Sequence, residues 1–282
     1  MNRNIAWRAI ALALPLLAAA PALAQDDEKA LPDDPNSLTV GVGAGYVPSY
    51  EGSDDYEFTP IGVIFGKVSG FSFASRGTGI SLDLIRDKAG APFSFEFGPV
   101  ANVRLDRTRR IKDPQVRALG EIDTAIELGA VVGVKKNGLL NPYDSLGFRL
   151  TWQKDVTNTH DSTILTPAIE YATPLSTRTY ATLGVQMERV GDGYARTYFS
   201  VTPAGALASG LPVYNADGGW KNWRASLFLA QTLTGDLRHP GLSLFGGVSY
   251  SRLKGDFARS PIVAIAGDRD QYLALAGLSY SF

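Results

Sequence analysis

The sequence predicts an all-β fold, a transmembrane antiparallel β-barrel of about 12 strands, with roughly ten as the alternative count. Three observations carry the prediction. Apolar and polar side chains alternate with a period of two along most of the chain, the N-terminal stretch reads as an export signal, and the last strand stops on an aromatic residue.

The export signal comes first in the chain. Arg3 and Arg8 flank the start of an apolar run at 9–20, and Ala22-Leu23-Ala24 supplies a small-x-small cleavage site, so 1–24 is read as a signal peptide. Beyond it no apolar run approaches the roughly 20 residues that a membrane helix needs. The absence of cysteine excludes thiol chemistry and a disulfide framework. A net charge of −1 gives no general attraction to nucleic acid, and no nucleic-acid partner is expected. Thirty glycines and 12 tyrosines suit a barrel, where glycine lets strands coil and tyrosine sits at the membrane interface.

Residues 25–37 are acidic and carry Pro32 and Pro35, which suits a flexible periplasmic leader before a barrel spanning 38–282. The first strand sets Leu38, Val40, Val42, Ala44 and Tyr46 against Thr39, Gly41, Gly43 and Gly45. A glycine face has almost no side chain to bury, so it is expected to face the lumen. The same alternation returns at Phe93, Phe95 and Phe97, at Leu146, Phe148, Leu150 and Trp152, at Ala181, Leu183, Val185 and Met187, at Trp223, Ala225, Leu227 and Leu229, and at Leu242, Leu244, Val248 and Tyr250. The strands are placed at 38–46, 59–67, 71–76, 79–86, 93–106, 120–135, 144–156, 162–174, 179–190, 222–234, 242–254 and 271–282. The third and fourth are short, and the count falls to the alternative if they merge. The longest outer loop is 191–221.

The last strand, QYLALAGLSYSF, puts Tyr272, Ala274, Ala276, Leu278, Tyr280 and Phe282 on one face. Gly277, Tyr280 and Phe282 resemble the C-terminal signal by which bacterial outer-membrane barrels are recognised for insertion. That signal and the export signal both favour a membrane barrel over a soluble sandwich, which alternation alone cannot separate. They place the chain in the outer membrane, with lipid and the barrel-assembly machinery as partners.

Candidate chemistry is sparse. His160-Asp161-Ser162 has the His-x-Ser spacing of some outer-membrane lipid hydrolases, because positions two apart on a strand share a face. It lies among Thr157, Asn158 and Thr159, where a polar turn is the simpler reading, so no catalytic residues are assigned. His239 beside Pro240 reads as a solvated turn residue. Glu51, Asp54, Asp55 and Glu57 form an acidic loop without the ligand spacing of a calcium site, so a solvated charge cluster is expected and neither metal nor cofactor is assigned. The expected lumen-facing charges are Asp83, Glu96, Arg104, Glu127, Arg149, Glu170, Glu188 and Arg224, together with Glu121 and Asp123. They either pair across the interior or line a pathway, and the acidic excess keeps open a narrow channel for small cationic solutes.

Five stretches resemble the MipA/OmpV family of MltA-interacting proteins: GYVPSYEGSDDY at 45–56, VTP at 201–203, SGLPVY at 209–214, SPIV at 260–263 and GLSYSF at 277–282. The resemblance implies a non-catalytic outer-membrane scaffold that joins a lytic transglycosylase to a murein synthase. A narrow channel, and more remotely a lipid hydrolase using Ser162 and His160, are the alternatives.

Overall fold

The structure is a computed structural model that describes residues 36–282 apart from Ala89 and Arg109. The expected signal peptide and nearly all of the leader lie outside the described residues. Twelve strands form one closed barrel in which each pairs with its sequence neighbours and β1 (Ser37–Pro48) pairs with β12 (Asp270–Ser281). The closing seam runs from Thr39↔Ser281 to Tyr46↔Ala274, and Phe282 N–H donates to Leu38 O at 2.9 Å. Closure satisfies the backbone groups that lipid cannot.

The other strands are β2 (Tyr56–Val68), β3 (Phe71–Arg76), β4 (Gly79–Asp83), β5 (Phe93–Arg104), β6 (Ala125–Asn137), β7 (Ser145–Asp155), β8 (Thr163–Pro174), β9 (Thr179–Val190), β10 (Gly219–Thr232) and β11 (Gly241–Leu253). β3 and β4 stay separate, so 12 is the strand count. β6 starts at Ala125, later than its alternation predicts. Gly120 takes a positive φ of 93° and Ile122 N–H bonds to Arg107 O at 3.0 Å, which holds the preceding segment as loop. Glu121 and Asp123 are therefore exposed on that loop and do not face the lumen.

The apolar face points outward, as the alternation requires. Val42, Phe95, Phe97, Leu183, Val185 and Val248 are each more than half exposed in the isolated chain, which is the state of a surface that lipid covers. Aromatic rings gather at the rims: Tyr46 stacks on Tyr56 at the outer end, while Tyr280 meets Phe282 edge-on near the other. Inside, a lane of glycine makes room for one large ring. Gly43 faces Gly277 across the seam, and a Cβ on Gly277 would lie 2.5 Å from Phe245 Cζ. Gly277 is thus a packing requirement of the closing strand.

Candidate functional site

The outer end of the barrel is stoppered by its own loops. Five short helices lie there: α1 (Pro114–Ala118), α2 (Asp192–Phe199), α3 (Pro203–Ser209), α4 (Gly255–Arg259) and α5 (Pro261–Ala264). Local sequence dictates their ends. Asp113 accepts from Val116 N–H at 2.8 Å and Thr202 from Gly205 N–H at 3.0 Å, each ahead of a proline, and Gly210 ends α3 with φ at 74°. Ser260 caps α5 through Ile262 N–H and donates to Phe199 O at 2.6 Å. The VTP, SGLP and SPIV stretches are therefore helix caps of the stopper.

Two buried clusters glue these loops together. One joins Tyr194, Tyr198 and Phe199 of α2 to Ile164, Val190, Phe257 and Val263. The other joins Tyr50 to Ile111, Val116, Val201, Leu211 and Ile262. Tyr50 also donates a hydrogen bond to Ala266 O. Burial raises the pKa of the Tyr50 and Tyr194 hydroxyls, so both stay neutral donors.

Beneath this apolar layer lies a buried charged layer. Lys221 Nζ meets Glu51 at 2.7 Å, Glu188 at 3.1 Å and the Tyr194 hydroxyl at 3.0 Å. Tyr194 donates to Glu51 at 2.7 Å and accepts from Arg104 at 2.9 Å. Arg104 in turn holds Glu127 at 2.6 Å and Glu188 at 3.7 Å. Asn102 donates to Glu127 at 2.8 Å. Burial alone would raise the pKa of Glu51, but Lys221 and Arg104 outweigh it and hold the carboxyl below its usual range. Asp106, which accepts from Glu51 N–H at 2.7 Å, moves the other way because of burial and the nearby Glu51 charge.

Glu51 was expected in a solvated cluster and instead sits in this layer, while Asp54 and Asp55 are exposed. Its partner Lys221 is the extra residue of a β-bulge between Trp220 and Asn222, which re-aims a side chain that regular alternation would send elsewhere. No local pattern announces either residue.

The predicted lumen charges fall into groups. Asp83 and Glu96 line a cavity of about 320 Å³ in the part of the lumen beside β3 to β9. Asp83 also accepts from Ile85 and Phe97 N–H groups at 2.9 and 3.1 Å. Arg149 and Glu170 pair at 2.9 Å and line both this cavity and another of about 370 Å³, which Arg104, Glu188 and Arg224 share. Glu127 is fully buried behind Arg104. Of the terminal residues, Tyr280 and Phe282 are exposed on the outer face, and Gly277 packs under Phe245.

His160 and Ser162 are not hydrogen-bonded to each other, and His160 Nε2 lies 3.2 Å from Glu127. Asp155 organises this turn by accepting from the N–H groups of Thr157, His160 and Asp161 at 2.8, 2.7 and 3.0 Å. His239 is exposed and contacts Asp236 at 2.8 Å. No group of residues able to hold a metal ion occurs among the described residues.

The family model of MltA-interacting protein MipA matches residues 40–282. The chain belongs to this family. Together with the closed barrel and its outward apolar face, membership makes it an outer-membrane β-barrel. No curated protein matches the chain. Among solved structures it is similar to a bacterial polysaccharide outer membrane secretin, at 10% identity over 88% of this chain and 97% of that one, with a TM-score of 0.35. It is similar to OmpT of Vibrio cholerae at 9% identity, over 90% of this chain and 100% of that one, with a TM-score of 0.35. For OprD of Pseudomonas aeruginosa the figures are 11%, 91%, 97% and 0.29.

Proposed function

We propose that this barrel is a non-catalytic scaffold that docks murein-remodelling enzymes, a lytic transglycosylase and a murein synthase, on its periplasmic face. The family's name supplies the class of partner. The observation that carries the reading is a stiff periplasmic turn that holds apolar side chains out. Leu139, Leu140 and Tyr143 of the periplasmic turn at 138–144 are all exposed.

Asp144 accepts from the N–H groups of Leu139, Leu140 and Asn141 at 2.6, 2.9 and 3.2 Å and from the Tyr171 hydroxyl at 2.8 Å. The turn is thereby stiff, yet Leu140 is 79% exposed and Tyr143 75%. Preordered apolar side chains lose little entropy on docking, which makes them suitable anchors. Asn141 also bonds Thr173 at 3.1 Å and so links this turn to the end of β8 beside the next turn, allowing two turns to act as one surface.

The test is photo-cross-linking in intact cells from Leu140, Tyr143 and Leu237 on the periplasmic side, with Tyr214 in the stopper as the control. Adducts with a lytic transglycosylase or murein synthase from the turns alone support the scaffold. Adducts only from Tyr214, to other molecules, would overturn it. We propose in addition that 1–24 is an export signal and 25–37 a periplasmic leader, which the N-terminal sequence of the purified protein would check.

A further inference from the structure

The barrel wall is incomplete in one place. β2 runs for 13 residues but β3 for six and β4 for five. β2 pairs with β3 only from Phe65 to Val68, and the last bond upward is Ile64 N–H to the Ser75 hydroxyl at 2.9 Å. Above that point β2 is paired only with β1. Because backbone groups of alternate residues face the same side of a strand, those of Gly62, Pro60 and Phe58 face the missing neighbour, as Ile64 does. Pro60 has no N–H to leave unpaired there, which is how sequences tolerate an open edge.

On the far side β4 pairs with β5 through Gly79 to Ser81, opposite Asn102 to Val100, and Val103 N–H donates to Thr78 O at 3.4 Å. Above the β3–β4 tip the wall therefore lacks two strands, a gap of roughly 14 Å at three strand spacings. The following loop roofs it: Lys112 Nζ reaches Tyr56 O and Asp106 holds the Glu51 N–H.

Directly behind the tip lies the cavity of about 370 Å³, lined by Arg76, Gly77, Thr78 and Gly79 of the hairpin. Five cationic side chains line it, Arg76, Arg104, Arg149, Lys221 and Arg224, against the carboxylates of Glu51, Glu170 and Glu188. Glu188 is held by Lys221 and Arg104. Arg76 and Arg149 share Glu170, at 3.5 and 2.9 Å. Arg224 has no ion pair among the described residues, and its Nε is buried without a partner.

Strand register puts Arg149, Ala168, Gln186 and Arg224 on one row across β7, β8, β9 and β10. The small Ala168 stands beside Arg149 and the neutral Gln186 beside Arg224, and all four residues line the same cavity. The unpaired Arg224 guanidinium is suited to a phosphate or carboxylate, and Arg149, held by Glu170 through both its NH groups at 3.4 and 2.9 Å, adds positive charge to the same cavity. The opening is flanked on the outer surface of the barrel by the apolar side chains of Phe58, Ile80 and Leu105, all exposed.

We propose that this notch is a side port for an anionic lipid: the phosphate headgroup sits between Arg224 and Arg149, and the acyl chain leaves over the Arg76–Gly79 tip into the membrane. The inference is independent of the scaffold reading, since it uses neither the periplasmic turns nor a protein partner.

The test uses the purified barrel in detergent with three probes: dioctanoyl phosphatidic acid, the tailless glycerol 3-phosphate and the zwitterionic dioctanoyl phosphatidylcholine. Arg224→Gln leaves no carboxylate without its cation, so the variant is expected to fold, as heat-modifiable migration on gels would verify. Phosphatidic acid is expected to bind to the wild type and about tenfold or more weakly to Arg224→Gln, the loss of one charge-assisted contact. Thr78→Trp, which fills the port, is expected to weaken phosphatidic acid binding as well. Equal binding of the zwitterion, or no change in Arg224→Gln, would overturn the site. Glycerol 3-phosphate binding as tightly as the lipid, unaffected by Thr78→Trp, would overturn the lipid and leave a pocket for a soluble anion.

Discussion

Replacing Lys221 with methionine is the sharpest test of what holds the stopper in place. The ammonium is 1% exposed and serves two carboxylates and the Tyr194 hydroxyl. Methionine keeps the apolar stem and removes the charge, leaving Glu51 buried against Glu188 with Arg104 as the remaining cation. Breaking a buried pair from one side costs about 3–5 kcal/mol, and the partial exposure of Glu51 argues for the lower end. At 1.4 kcal/mol per factor of ten, 3 kcal/mol raises the open population of the stopper roughly 100-fold. The chain has no cysteine, so Val263→Cys, 1% exposed in the stopper core, serves as a single reporter whose maleimide labelling rate reads that population. Lys221→Met is expected to speed labelling by about that factor, and Glu51→Gln added to it to recover part of the effect. A labelling rate within about threefold of the parent, under 1 kcal/mol, would refute the role given to the charged layer.

Three further outcomes follow from the same geometry. The depressed pKa of Glu51 means that its contribution is present above its ordinary value of 4.5 and is lost as pH falls through the lower folded value, with Asp106 opposing it. Hydrogen exchange of α2, corrected for intrinsic rate, should therefore rise below that value in the parent and rise less in Glu51→Gln. Gly277→Leu should impair folding, because its Cβ would meet Phe245 and the β1 backbone within 3 Å; refolding yield measured by heat-modifiable migration checks this, and parental yield would contradict it. Ser162→Ala should leave unchanged any lipase activity in the purified protein, since the hydroxyl has no histidine bond, and abolition of such activity would overturn the structural reading of this turn.

The wall was legible because a barrel strand faces two solvents. That requirement prints itself on every second residue, and Val42, Phe95 and Val185 read correctly without any tertiary information. The alternation starts β6 five residues early, because Glu121 and Asp123 continue it while Gly120 and the Arg107–Ile122 bond override it. The charged layer was half legible. Arg104, Glu127 and Glu188 lie on regular strands and follow parity. Glu51 and Lys221 are 170 positions apart, one in a loop and one in a bulge, and only the folded chain brings them together. His160 illustrates the converse: its sequence neighbours read as a polar turn, but the ring meets Glu127, 33 positions earlier.

Conductance tests directly whether the outer end is closed by the chain's own loops. The purified parent and a variant with 192–217 replaced by a short glycine-serine linker would be placed in planar bilayers. The parent is expected to show no single-channel steps and the shortened barrel to conduct. Stable steps from the parent would contradict the sealed mouth and make the narrow channel the leading reading.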